Sequence, residues 1–109
     1  MPFKYRVTAV ESVPLRGGSS SLAASVDAPH FALAKAASLL PMPPLKPREA
    51  ARLRIELTLP DGSTSQQFAS IALVSPIDAP GVLAFSGLVV AEVPIGTGVE
   101  LLGFDAHPR

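Results

Sequence analysis

His30 and His107 are the two histidines of this chain, and histidine is the side chain best placed to move protons or bind metals near neutral pH. Asp27 precedes His30 by three positions, a spacing that lets a carboxylate orient an imidazole on one helix face. Asp105-Ala106-His107 likewise offers two possible metal ligands. A catalytic metal site needs three protein ligands with a supporting shell, and neither pair has a third ligand in reach along the chain. The sequence holds no cysteine, which removes thiol nucleophiles, thiolate zinc sites and disulfides from consideration.

Other catalytic patterns are equally sparse. No Gly-x-Ser-x-Gly elbow occurs, and Ser86-Gly87 lies inside an apolar run with no base at a readable distance. Gly96-Thr97-Gly98 lacks the Gly-Lys-Ser/Thr ending that cradles phosphates, and reads as a tight turn. The six carboxylates of the second half fall at turns and strand ends, where they serve as solvating charges. With no tryptophan, only Phe3, Tyr5 and Phe68 could form a stacking platform for bases or sugars. We therefore expect no catalytic residue, no metal and no cofactor, and a protein that is not an enzyme.

The elements that carry these residues follow from periodicity. Residues 3–10 alternate with period two, so Phe3, Tyr5, Val7 and Ala9 are expected to face a core. Residues 11–21 read as a loop. Asp27-Ala28-Pro29 has the form of a helix start, with Asp27 as cap, and Leu33, Ala36, Ala37 and Leu40 would share one face of a helix ending at Pro41. The alternative is a second apolar strand through residues 22–26 with only a short helix after it.

Residues 41–47, Pro-Met-Pro-Pro-Leu-Lys-Pro, are expected to be a stiff polyproline II connector. They also fit the proline-ligand pattern of an apolar residue followed by Pro-x-x-Pro-x-basic, with Leu40, Pro41, Pro44 and Lys46 in the key positions. Arg52 to Leu59 is a clean strand with Leu53, Ile55, Leu57 and Leu59 on one face. Pro60-Asp61-Gly62-Ser63 then predicts a hairpin turn, and the strand returns over about residues 64–74. Residues 82–93 are apolar on both sides, one strand or two broken at Gly87, which suggests burial on both faces or an oligomer surface. Residues 99–102 form the last strand, Phe104 plugs the end of the core, and residues 105–109 are a flexible tail. The fold class is mainly β, a small single-domain barrel or sandwich over residues 1–109, with about six strands and at most one short helix.

Residues 87–103 resemble the strand pair in the β-barrel second domain of translation elongation factors, where a Gly-x-Val strand and a glycine-rich turn lead into Val-Glu-apolar-apolar-Gly. The resemblance implies a six-stranded barrel that serves as a binding module without catalysis. The nucleotide motifs of those factors are absent, so GTP binding is not implied. The Pro-rich connector and the helix depart from that barrel.

Composition points to an interface. The chain has 109 residues, 48% hydrophobic and 17% charged, at formal net charge +0, and its mean hydropathy of +0.38 is high for a small domain. The most apolar stretch, residues 71–93, is interrupted by Pro76, Asp78 and Pro80, too broken to span a membrane as a helix. Residues 1–6 offer no apolar signal core, and we expect a cytoplasmic protein. The zero charge divides into +5 over residues 1–54 and −5 over residues 55–109. We expect a module that binds protein, itself first of all, through an apolar surface at Leu83, Phe85, Leu88 and Val90. The alternatives are a nucleic-acid-binding barrel using the basic patch Arg48, Arg52 and Arg54, and a ligand-binding barrel with a cavity lined by Leu53, Ile55, Phe68 and Ile71.

Overall fold

The alternation at Leu53, Ile55 and Leu57 puts three apolar side chains on one side of a strand, and in the computed structural model all three are buried. The structure describes residues 5–14, 17 and 20–108. Six strands are formed: β1 (Tyr5–Pro14), β2 (Ser20–Pro29), β3 (Glu49–Thr58), β4 (Thr64–Ala72), β5 (Pro80–Ser86) and β6 (Gly98–Pro108). One α-helix is present among the described residues, α1 (His30–Ser38), which follows β2, and a 3-10 turn at Val90–Glu92 lies between β5 and β6. The strands close into an antiparallel barrel in the order β1-β2-β5-β4-β3-β6. Phe85, Leu22, Ile55, Leu83, Val26 and Val99 fill its interior without measurable exposure beyond 1%, each contributing about 1.5–3 kcal/mol of burial free energy.

The hairpin expected at residues 60–63 is present. Leu59 N–H donates to the Ser63 carbonyl at 2.8 Å and Gly62 N–H to the Leu59 carbonyl at 2.9 Å. Asp61 Oδ1 accepts from both the N–H and the hydroxyl of Ser63, at 2.9 and 2.6 Å, an Asx-type closure of the turn. Gly62 sits at φ 91°, a conformation glycine adopts without a Cβ penalty.

Several expectations are corrected. β1 does not hold strict alternation: Val7 pairs with Val26 but Ala9 pairs with Ser25, so Thr8 is a bulge residue. The bulge reverses the facing beyond it, exposing Ala9 and turning Val10 toward the core. Phe3 lies outside the described residues. The expected loop at residues 11–21 is partly strand, because β1 continues to Pro14 and β2 begins at Ser20. The helix is the shorter of the two alternatives. Asp27 stays in β2 and its Oδ1 accepts the Arg6 N–H at 2.9 Å, so it is not the helix cap. Pro29 occupies that position and no side chain caps α1.

The first N–H groups of α1 are satisfied from the β4–β5 loop. His30 N–H donates to the Ala79 carbonyl at 2.7 Å and Phe31 N–H to the Ile77 carbonyl at 3.1 Å. These are the groups a helix leaves without internal partners, so the loop substitutes for the missing cap. Leu33 and Ala37 are buried, with Ala36 and Leu40 packed against the core, as the spacing predicted.

Residues 82–93 are not one strand. β5 ends at Ser86, Gly87 takes φ 82°, and Val90–Glu92 forms the 3-10 turn. Residues 87–93, expected from the elongation-factor resemblance to form a strand, contribute none. Of the tail expected at residues 105–109, residues 105–108 are strand as well, since β6 pairs with β3 from Thr58↔Gly98 to Glu49↔Pro108, and Arg109 lies outside the described residues. The two-residue pairing of β1 with β6, Tyr5↔Val99 and Arg6↔Gly98, makes a much shorter seam.

Candidate functional site

Two surfaces gather the side chains that could recognise a partner. The first lies where β2 runs into α1. Thr8, Val26, Asp27, Ala28, Pro29, Phe31, Asp78 and Pro80 line a cleft of about 480 Å³. Phe31 on its wall is 53% exposed, and Ile77 beside it is 68% exposed. Large apolar side chains held this far in water carry a hydration cost that contact with a partner removes. Their placement is backbone-determined: the Phe31–Ile77 and His30–Ala79 bonds tie the start of α1 to the loop that carries Ile77 and Asp78.

The cleft is acidic as well as apolar. Asp27 and Asp78 line it, with no Lys, Arg or His among its lining residues. The charge of Asp27 reaches Tyr5, whose phenol is pushed above its ordinary value first by burial and then by that carboxylate. His30 lies at the start of α1, buried at 7% exposure, with its Nδ1 lacking a hydrogen-bond partner.

The second surface is the outer face of β3, β4 and β6. In the register, Arg54 stands opposite Phe68 on β4 and Arg52 opposite Asp105 on β6. The Arg52 guanidinium carbon sits 5.1 Å from the centre of the Phe68 ring, within cation–π range. The His107 ring meets Phe68 edge-on at 4.6 Å. Arg54 Nε lies 3.4 Å from Asp105 Oδ2, and its Nη1 donates to Gln66 Oε1 at 3.3 Å. An exposed pair of this kind is worth at most about 1 kcal/mol, yet it offsets much of the positive charge of Arg54.

The candidate residues read from the sequence divide between these places and the core. Leu83 and Phe85 are 0% exposed, because β5 turns them into the barrel opposite Ala24 and Leu22. They build the interior and are unavailable to a partner, which corrects the interface expected there. Leu88 is half-buried against the core, and Val90 is 40% exposed on the 3-10 turn. Arg52 and Arg54 share a face, while Arg48 sits apart on the turn before β3 at φ 71°. The cavity expected from Leu53, Ile55, Phe68 and Ile71 does not form: Ile55 is in the core and Phe68 faces outward. Leu53 and Ile71 instead line a smaller cleft of about 230 Å³ with Ala69 and Phe104.

Among the described residues, no three His, Cys, Asp or Glu side chains gather as a metal site. No helix among them is long and apolar enough to cross a membrane. Phe31, Ile77 and Asp78 were not anticipated as a site. Phe31 carried a readable signal, since it falls off the Leu33–Ala37 face of α1 and must project elsewhere. Nothing in the sequence showed that residues 77–79 fold back onto the start of that helix. No family model, curated protein or solved structure matches this chain.

Proposed function

We propose that this chain is a non-enzymatic binding module that recognises protein through the apolar, acidic cleft at the start of α1. The single observation that carries this reading is the pair Phe31 and Ile77, exposed at 53% and 68% and held in register by a backbone hydrogen bond. Phenylalanine and isoleucine have few rotatable bonds to immobilise on binding, which suits them as anchors on the wall and rim of an open cleft. Peptides pairing apolar or proline residues with a basic residue suit such a cleft. Fluorescence anisotropy with a labelled panel of such peptides tests it. Binding is expected in the wild-type chain and lost in Phe31→Ala, and a panel in which no peptide binds overturns the reading.

A second reading rests on the Arg52–Phe68–His107 cluster. An aromatic ring flanked by a guanidinium and an imidazole on an open sheet face has the chemistry of a single-strand stacking platform. Asp105 at 3.4 Å from Arg54, and a formal net charge of +0, work against it. Nucleic-acid binding there requires an affinity that falls steeply with salt, and a flat salt response dismisses it.

A further inference from the structure

We propose that the occupant of the cleft is the proline-rich connector, residues 41–47, together with the adjoining Arg48, of a second copy of this chain. The inference rests on the cleft being a protein-binding site and adds what it binds. The connector joins α1 to β3, and residues 41–46 belong to neither helix nor strand. Met42 is 59% exposed and Leu45 45% exposed, and Pro41, Pro44, Lys46, Pro47 and Arg48 are exposed beside them. Proline fixes the backbone torsion in advance, so such a segment docks with a small entropy cost into grooves lined by aromatic and proline rings. Phe31, Pro29 and Pro80 supply those rings.

Charge completes the match. Lys46 and Arg48 stand at the end of the connector, and Asp27 and Asp78 line the cleft. Among the described residues neither Lys46 nor Asp78 has an ion-pair partner. The order of the connector, with apolar and proline residues first and basic residues after, is that of the pattern Leu40-Pro41-x-x-Pro44-x-Lys46. The receptor of matching chemistry is on the same chain. It is not served internally, because no residue from 41 to 48 lines the cleft. The two features flank α1, with the cleft at its start and the connector beyond its end. Contact between copies therefore joins unlike patches, giving reciprocal exchange about a two-fold axis or a head-to-tail row.

Sedimentation equilibrium of the full chain from micromolar to millimolar concentration tests the proposal, with Asp78→Lys, Lys46→Glu and the double variant alongside. All substituted positions are exposed, and matching thermal melts confirm that each variant is folded. The wild-type chain is expected to self-associate, each single reversal to weaken association by about tenfold, and the double reversal to recover most of the loss. A wild-type chain that stays monomeric throughout overturns the proposal, as does association that the single reversals leave unchanged or that the double variant fails to recover. If self-association fails while panel peptides still bind and Phe31→Ala still abolishes their binding, the cleft remains a protein-binding site whose partner is not this chain. If neither the connector nor any peptide binds, both readings fall.

Discussion

The backbone N–H of Phe31 donates to the carbonyl oxygen of Ile77 at 3.1 Å, joining the first turn of α1 to the loop between β4 and β5. That bond does two things at once. It satisfies a helix donor that no capping side chain reaches, and it sets two exposed apolar side chains next to a cleft with an acidic wall. Fold and candidate function thus depend on the same contact.

Phe31 and Leu33 are two residues apart and should behave oppositely on truncation. Phe31→Ala removes a half-exposed ring and is expected to change stability by less than about 1 kcal/mol, while weakening ligand binding at the cleft at least tenfold. Leu33→Ala empties a site that is 0% exposed and is expected to cost about 2–5 kcal/mol. Chemical denaturation paired with anisotropy separates the two effects.

Gly81 is the residue that lets α1 lie against β5. A Cβ at that position would meet Leu33 Cδ2 at 2.7 Å and Leu33 Cβ at 3.1 Å. The second contact involves the root of the side chain, so rotating Leu33 does not relieve it. Gly81→Ala is expected to push α1 outward at a cost of about 1–3 kcal/mol and to weaken cleft binding with it. Denaturant midpoints and peptide affinity check both parts.

Thr97 closes the short seam between β1 and β6. It is fully buried, its hydroxyl donates to the Pro94 carbonyl at 2.6 Å, and its own carbonyl accepts the Val7 N–H at 2.9 Å. Thr97→Val keeps the shape, removes the hydroxyl donor and leaves the Pro94 carbonyl without that bond. We expect a loss of about 1–2 kcal/mol and faster amide exchange at Val7 and Gly96, read by hydrogen–deuterium exchange.

Acid should open the β3–β4 turn late. The hydroxyl of Ser63, and then its backbone N–H, hold the Asp61 carboxyl below its ordinary value. Because the folded value is depressed, the stabilisation is full above the unfolded aspartate range and disappears as pH falls through the folded value. Carboxyl titration by NMR is expected to place Asp61 below an unstructured aspartate, and Ser63→Ala to raise it.

The sequence made the strands legible where alternation was undisturbed, as at Leu53, Ile55 and Leu57, and made the turn at Asp61-Gly62 legible through its side-chain chemistry. It misled where a single residue changed the phase: one bulge at Thr8 reversed Ala9 and Val10. Leu83 and Phe85 looked like an interface because both sides of their strand are apolar. The barrel resolves this by placing the large side chains inward and the small Ala84 outward, so apolar character alone did not reveal which face was covered. The basic residues Arg52 and Arg54 were placed correctly on one face, but Asp105 opposite them came from the strand end that read as a tail. The cleft needed contacts between residues 27–31 and 77–80, and no local pattern encodes a pairing across that distance.

Amide-shift mapping by NMR locates the peptide-binding surface residue by residue. The full chain, wild type and Phe31→Ala, is titrated with peptides that combine proline, apolar and basic residues. Shifts are expected at Thr8, residues 26–31 and residues 77–80 in the wild type, joined by residues 41–48 where the peptide displaces the connector of a second copy, and they are expected to vanish in Phe31→Ala. Shifts that map instead to Arg52, Phe68 and His107, or no shifts at any peptide concentration, would contradict the binding role of the cleft.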